Sequence, residues 1–325
     1  MSTVTGVTQK LAAEIQPLPR PDWLRDQLIR EDLVKDNSAL AAGTHDISID
    51  GIRLRYHVAG TGPVCLFHSG GPGAEWDYLR APRLEAHLTC VYVEPVGTKG
   101  SGRLPGHPHG YTVELYSHFL HGLITHLGVP KLHLLGHSHG GFVAQRYALD
   151  HPDRLAGLIL YGTAPTMGPD LWEEADRQIE AFAHRHEAHP GVEAVAQAWA
   201  TVAEVVDDDG IIQKMRVLFP AYFADYWGRE AEFAPAREAF DCTYIAGVGA
   251  ASPFDLRDEL GAIAPPTLVI GGEYDFICGM RWARQMHGGI PGSEMAVLMN
   301  SGHFGHLEEP EKFAERVLGF ILQIQ

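Results

Sequence analysis

The apolar positions of this chain change period several times. Residues 1–43 show no sustained alternation; Pro17, Pro19 and Pro21 interrupt any helix there. Asp22 is placed to cap a helix running to about Val34, with Trp23, Leu24, Leu28 and Leu33 on its apolar side. From His45 polar and apolar residues alternate, in HDISID and, beyond Gly51, in IRLRYHVAG, which predicts two strands around a tight turn. Six apolar runs rich in β-formers follow, at 64–67, 89–93, 132–135, 156–161, 267–270 and 295–299. Continuous runs of this kind suit strands buried on both faces of a parallel sheet. Helical periodicity separates them, at 112–127 and 142–149, and Phe313, Val317, Phe320 and Ile321 mark one face of a last helix. The alternation predicts an α/β fold: a doubly wound, mostly parallel sheet of eight strands.

Between 164 and 257 the strand signals stop and the composition turns to Ala, Glu, Trp and Phe. Several helices are expected there. A helical insertion between two sheet strands predicts a cap over the carboxyl edge of the sheet, where ligands bind in such folds. The expected organisation is an extension with a helix (1–43), a core (44–163 and 258–325) and a cap or lid (164–257). No repeat or low-complexity tract interrupts it.

Charge narrows the partners. Forty-one acidic against 25 basic residues leave a net charge of -16, which repels nucleic-acid backbones and anionic lipid. No apolar run approaches the roughly 20 residues needed to span a bilayer, and Met1 to Gln16 lacks the basic-then-apolar pattern of a signal peptide. The expectation is a soluble cytoplasmic protein that binds neither nucleic acid nor membrane; a homo-oligomer is compatible with it. Cys65, Cys90, Cys242 and Cys278 form no Cys-x-x-Cys pair, and buried thiols in a reducing compartment are the simplest account of them.

The chemistry centres on residues 132–152, LHLLGHSHGGFVAQRYALDHP. An apolar strand ends, Gly136-His137-Ser138-His139-Gly140 follows, and a helix begins at once. An isolated Gly-x-Ser-x-Gly arises often by chance; the strand–turn–helix context makes it a nucleophile elbow, with the Ser138 hydroxyl exposed on a strained turn. Gly136 and Gly140 fall where a Cβ would crowd the neighbouring strand or helix, and the helix start places a positive dipole end beneath the reacting carbonyl.

On these residues the chain resembles the α/β-hydrolase superfamily, and within it the prolyl aminopeptidase (proline iminopeptidase) branch. The resemblance covers about residues 44–163 and 258–325, is weak in the cap and absent in the extension. His68-Ser69-Gly70-Gly71-Pro72-Gly73 is similar to the His-Gly-Gly-Pro-Gly signature of that branch, with Ser69 inserted. It implies an oxyanion hole with one N–H donor from Gly70 or Gly71 and the other from His139, the residue after the nucleophile. Downstream, GGEYDFICG carries Asp275 and NSGHFGHLEEP carries His303. The order Ser138, Asp275, His303 is the one this fold uses. Histidine titrates near working pH and can take the serine proton, while the carboxylate holds its tautomer. Glu273 competes with Asp275, and His306 with His303; Gly-Glu-x-Asp and Ser-Gly-His followed by Leu-Glu-Glu-Pro favour Asp275 and His303.

Other constellations are weaker. His137 with His139, His107 with His109, and His118 with His121 have the spacing of metal-ligand pairs, but no third and fourth ligand continues them; neither metal nor cofactor is expected. PVGTKGSGR lacks the Gly-Lys-Ser/Thr order of a phosphate loop. It stands where the family has Asp-Gln-Arg-Gly-x-Gly, with Glu94 in place of Asp, and its glycines are expected to shape the rim. Haloalkane dehalogenases and epoxide hydrolases share the fold but need an aspartate nucleophile, which Ser138 is not. The expected activity is hydrolysis of an amide, ester or lactone in a small molecule or short peptide. An acyl-transfer, cyclising or lyase enzyme is an alternative, and so is a non-catalytic ligand receptor. Cleavage of an N-terminal proline amide would need acids to hold the free amine. The cap offers Glu173, Glu174, Glu180, Glu193, Glu204, Asp207, Asp208 and Asp209 for that, and Trp172, Tyr222 and Trp227 as substrate-binding candidates.

Overall fold

A computed structural model describes residues 37–247 and 254–324. The helix expected between 22 and 34 lies outside them. The alternating stretch folds into a hairpin, β1 (Gly43–Ile49) and β2 (Ile52–Ala59), paired antiparallel from Gly43↔Val58 to Ile49↔Ile52. Its turn is Asp50-Gly51, with φ of 52° and 78°, the left-handed pair that a two-residue hairpin loop requires.

The six apolar runs become β3 (Val64–His68), β4 (Thr89–Glu94), β5 (Leu132–His137), β6 (Leu155–Tyr161), β7 (Thr267–Gly272) and β8 (Glu294–Leu298). All eight strands form one sheet in the order β1-β2-β4-β3-β5-β6-β7-β8. The β1–β2 and β2–β4 pairs are antiparallel and the others parallel. β8 departs from the expectation of burial on both faces: Glu294 and Met295 are exposed, and Met299 just beyond is 55% exposed. It is an edge strand with one neighbour, so its apolar run is covered on one side only.

From β3 the chain moves outward to β4 and then crosses back to β5 on the other side of β3. The winding reverses there, and the carboxyl ends of β3 and β5 open a crevice. Register keeps the strand ends level, pairing His68 with Gly136, His137 with Tyr161 and Gly272 with Leu298. The loops that follow these strands therefore meet on one rim.

Helix α1 (Val113–His126) starts at Thr112, whose hydroxyl accepts the Leu115 N–H at 3.2 Å. Helix α2 (His139–Asp150) starts three residues before its apolar periodicity, because Gly140 and Gly141 in its first turn carry no hydrophobic signal. Among the described residues four α-helices separate β6 from β7: α3 (Pro169–Arg185), α4 (Val192–Ala200), α5 (Asp208–Leu218) and α6 (Glu230–Ala239). Then come α7 (Met280–Gly289) and α8 (Pro310–Gln323). Among the described residues no helix is long and apolar enough to cross a membrane.

Adjacent strand residues point to opposite faces and build two cores. Leu66, Leu134 and Val269 pack with Phe119, Val143 and Trp282 on one face. Phe67, Leu135 and Ile270 pack with Val317, Phe320 and Ile321 on the other. A third apolar cluster, within the inserted helices, joins Phe182, Trp199, Phe219 and Phe223 to Phe276 and Phe304. These last two residues follow Asp275 and His303, so the insertion packs directly on the turns that carry both.

Candidate active site

Ser138 stands where β5 gives way to α2. Its backbone has φ 54° and ψ -122°, a region that a residue with a Cβ occupies only at a cost of about 1–3 kcal/mol. The conformation is held from both sides. The Ser138 N–H donates to the Tyr161 carbonyl at 3.0 Å. Its own carbonyl accepts the Gly141 N–H and the Thr163 hydroxyl, each at 2.8 Å. The flanking glycines allow the close packing: a Cβ on Gly136 would lie 2.3 Å from the Gly140 carbonyl oxygen, and one on Gly140 would lie 2.2 Å from that of His68.

Asp275, on the turn after β7, and His303, on the turn after β8, are both buried, and His303 Nδ1 lies 2.8 Å from Asp275 Oδ2. The other carboxylate oxygen accepts the Ile277 and Cys278 N–H groups at 3.0 and 2.9 Å. A carboxylate only accepts, so Nδ1 carries a proton, and in the neutral form of the ring Nε2 is the bare nitrogen. No hydrogen bond joins the Ser138 hydroxyl to His303 among the described residues; such contacts are often long in a free enzyme and close with substrate.

The competing residues are placed differently. Glu273 is exposed. His306 is buried but fully engaged: Nε2 lies 2.7 Å from the Tyr78 carbonyl oxygen and Nδ1 lies 3.0 Å from the Tyr161 hydroxyl. Burial drives its pKa down to about 4.

The loop after β3 lies against the elbow. A Cβ on Gly70 would come within 2.8 Å of the Ser138 Cβ. The Gly70 N–H donates to the Tyr78 hydroxyl at 2.7 Å. Gly71 has φ 111°. Beyond it the loop pairs with the end of the insertion: the Thr243 N–H donates to the Gly73 carbonyl at 2.8 Å, and Lys99 bridges Glu75 (2.7 Å) and Asp241 (2.9 Å). The Glu94 carboxylate accepts the Gly100 N–H at 2.6 Å and meets His57 Nε2 at 2.6 Å, which holds the glycine loop after β4 in place. His139, first residue of α2, turns its ring onto Tyr116 (centroids 5.3 Å apart), and burial lowers its pKa to about 3.

Of the three aromatics singled out in the insertion, Tyr222 reaches the rim. Its carbonyl accepts the His303 N–H at 2.7 Å, and its ring centroid is 5.5 Å from that of His303. Trp227 stacks on His189 (3.9 Å), and Trp172 packs against Trp199 (6.2 Å), both within the insertion. The acids singled out there turn outward or are paired. Glu173, Glu180, Glu193, Glu204 and Asp209 are exposed. Glu174 pairs with Arg177 and Arg281, Asp207 caps α5, and Asp208 accepts the Tyr244 N–H at 2.7 Å. No group of three His, Cys, Asp or Glu side chains able to hold a metal occurs among the described residues.

Two contributors escaped the sequence reading. Tyr78 has no local signature at all. Glu308 belongs to the Leu-Glu-Glu-Pro run, yet nothing in that run tells of its partners: one oxygen accepts the Gly302 N–H (2.6 Å) beside His303, the other the Ala224 N–H (2.8 Å) of the insertion. Burial raises its pKa to about 7 against the pull of those bonds.

Known proteins agree with this architecture. Residues 62–310 match the family model of the alpha/beta hydrolase fold. The chain is 27% identical over 273 residues to proline iminopeptidase of Clostridium botulinum, covering 78% of this chain and 87% of that protein. It is 26% identical over 283 residues to the 2-hydroxy-6-oxononadienedioate/2-hydroxy-6-oxononatrienedioate hydrolase of Paraburkholderia xenovorans, covering 83% and 91%. A thermophilic esterase from Thermogutta terrifontis superposes with a TM-score of 0.65 at 26% identity, covering 87% of this chain and 99% of that one. With most of its length matched by one family and its sheet built in the same way, the chain belongs to the α/β hydrolases.

Proposed function

We propose that the protein is a serine hydrolase working through an acyl-enzyme, with Ser138 as nucleophile, His303 as general base and Asp275 as the carboxylate that orients it. Residues 164–257 form the cap over this site. The observation that carries the reading is the 2.8 Å bond between Asp275 and His303, whose side chains are 0% and 4% exposed, on the rim where Ser138 leaves its strand.

With Nδ1 protonated by its bond to Asp275, the bare Nε2 of His303 takes the Ser138 hydroxyl proton as Oγ attacks the substrate carbonyl. The oxyanion is held by the N–H groups of His139 and Gly71. His139 opens a helix, where N–H groups lack intrahelical partners, and Gly71 is preferred to Gly70 because the Gly70 N–H is already given to Tyr78. Losing one such donor costs about 2.7–4 kcal/mol of transition-state stabilisation. The imidazolium returns its proton to the leaving group, and water then repeats the attack on the acyl-enzyme. No cofactor enters the scheme.

The substrate we favour is a carboxylic ester or lactone. The acids of the insertion face solvent or are paired, which gives a free substrate amine no evident anchor. A cavity of about 200 Å³ walled mainly by Tyr78, Phe219, Phe240, Phe304 and Leu307, with the charged Asp77 and Arg80 also in its lining, suits an apolar group better. The likeness to proline iminopeptidase supports an N-terminal proline amide as the second reading. Acyl transfer would use the same residues and differ only in the acceptor. Labelling with a fluorophosphonate, with Ser138→Ala as control, tests the nucleophile, and turnover of short and long aryl esters against a proline aryl-amide ranks the substrates. Label on the wild type alone, with ester turnover, is expected. An unlabelled wild type removes the acyl-enzyme, and amide turnover without ester turnover reverses the ranking.

A further inference from the structure

A buried histidine beside a nucleophile is most often a satisfied core residue. His137 differs in what satisfies it. The residue is 1% exposed. Nε2 lies 3.0 Å from the carbonyl oxygen of His303, and Nδ1 lies 2.7 Å from the Tyr78 hydroxyl, which in turn accepts the Gly70 N–H at 2.7 Å. Both partners belong to the proposed site. One is the backbone of the proposed base, on the turn after β8; the other is bonded to the proposed oxyanion loop, after β3. Both are loops beyond the strand ends, where no ladder of sheet hydrogen bonds holds them.

The partners fix every proton. A carbonyl only accepts, so His137 Nε2 donates to His303. Burial, with His303 and His306 nearby, keeps the ring neutral by pushing its pKa well below the usual value. Nδ1 is then an acceptor, and the Tyr78 O–H must point at it. That leaves a lone pair on the Tyr78 oxygen for the Gly70 N–H. The result is one directed chain, from Gly70 N–H to Tyr78 O–H to His137 and from His137 N–H to the His303 carbonyl. A parallel strut steadies it: His306 Nε2–H donates to the Tyr78 carbonyl (2.7 Å), and the Tyr161 hydroxyl donates to His306 Nδ1 (3.0 Å).

We infer that His137 and Tyr78 are positioning residues, which tie the oxyanion loop and the base turn to the nucleophile elbow so that the three reacting parts keep one geometry. The inference rests on the serine-hydrolase reading. Neither residue touches the reacting atoms; the Tyr78 ring also walls the cavity proposed for the substrate, so the test there keeps the ring and removes only the hydroxyl, which should change how well the site is assembled and leave substrate affinity little changed.

Three measurements test this. Heteronuclear NMR of the imidazole nitrogens should show His137 neutral with its proton on Nε2 between about pH 5 and pH 8. This readout needs no catalysis; a proton on Nδ1, or a charged ring in that range, overturns the assignment. Next, His137→Leu and Tyr78→Phe should each lower kcat and the rate of Ser138 labelling by about 10²-fold, the scale of a misplacement of an ångström, with KM little changed. His137→Gln, which carries an amide N–H and an acceptor oxygen, should recover part of the loss. The double variant should be no worse than the poorer single one, since both break the same chain. Tyr78→Phe keeps the ring and guards against a fold defect in His137→Leu. A change under roughly threefold in kcat and labelling for Tyr78→Phe, or an effect wholly in KM, overturns the inference while wild-type labelling leaves the serine-hydrolase reading intact. A wild type that resists labelling removes both.

Discussion

Asp275→Asn tests the proposed mechanism at a single atom. One carboxylate oxygen of Asp275 accepts two backbone N–H groups, from Ile277 at 3.0 Å and Cys278 at 2.9 Å, and the other accepts His303 Nδ1–H at 2.8 Å. An asparagine in this place has one sensible orientation. Turning its amide nitrogen toward the Ile277 and Cys278 N–H groups would leave buried donors facing a donor, at about 1–3 kcal/mol for each unsatisfied group. The carbonyl oxygen therefore stays with the backbone and the NH2 group faces His303. The ring must then accept at Nδ1 and carry its proton on Nε2, where it cannot take the serine proton. Wrong-tautomer variants of this type lose about 10⁴-fold in kcat, which is about 5 kcal/mol on the barrier. Folding should hardly notice, because shape and hydrogen-bond count are kept. Asp275→Ala makes the contrast: it frees the ring but strands two buried N–H groups, so it should lower the melting temperature where Asp275→Asn does not. The assay is kcat on an aryl ester across the pH range, beside the fluorophosphonate labelling rate and thermal unfolding of each variant. Asp275→Asn activity within roughly tenfold of wild type, with an unchanged pH profile, would refute the assignment of Asp275 as the residue that sets the tautomer.

Two further outcomes follow from the same coordinates. Gly140→Ala would drive a Cβ to 2.2 Å from the His68 carbonyl oxygen and 2.6 Å from that of Ser69; both are backbone atoms, so β3 and α2 must part, at about 1–3 kcal/mol in urea unfolding, with a loss of esterase activity larger than the loss of folded protein. Glu308 should make stability fall as pH rises: burial lifts its pKa from the usual 4.5 to about 7, so the folded state keeps a proton that the unfolded chain releases. Its contribution is fully present below about pH 4.5 and is lost as pH climbs through about 7, on the order of 3 kcal/mol in all. Unfolding free energies at intervals between those limits should slope downward in the wild type and flatten in Glu308→Gln; equal slopes in the two proteins would count against it.

What the sequence disclosed, and what it withheld, divides by the range over which each signal acts. The strands, the tight turn at Gly51, the helix after residue 112 and the elbow glycines are local: each is written within a window of a few residues, and each formed where the pattern put it. β8 was recognised as a strand, but its exposure was not, because an apolar run says nothing of how many neighbours it will have. Glu273 and Asp275 differ by two positions, and the pattern alone left either available; the turn buries Asp275 and leaves Glu273 in solvent. His303 and His306 are harder still: the family-like Ser-Gly-His turn favours His303, but both are buried, and burial does not separate them as their partners do. One meets a carboxylate, the other a tyrosine hydroxyl and a carbonyl. The chain through Tyr78 was illegible for the strongest reason. Its links join Tyr78 to residues 59 and 228 positions away, and a tyrosine in a loop carries no mark of the hydroxyl's destination. Composition left one question open: the insertion holds acids that a substrate amine could use, yet acidity reports how many carboxylates a segment has and not which way they face. A free substrate amine needs a carboxylate turned inward and unspent. Among the described residues the buried acids near the rim, Glu94, Asp275, Glu308 and Glu309, are each already bonded to backbone N–H groups, and on that ground we propose esters and lactones ahead of a proline amide.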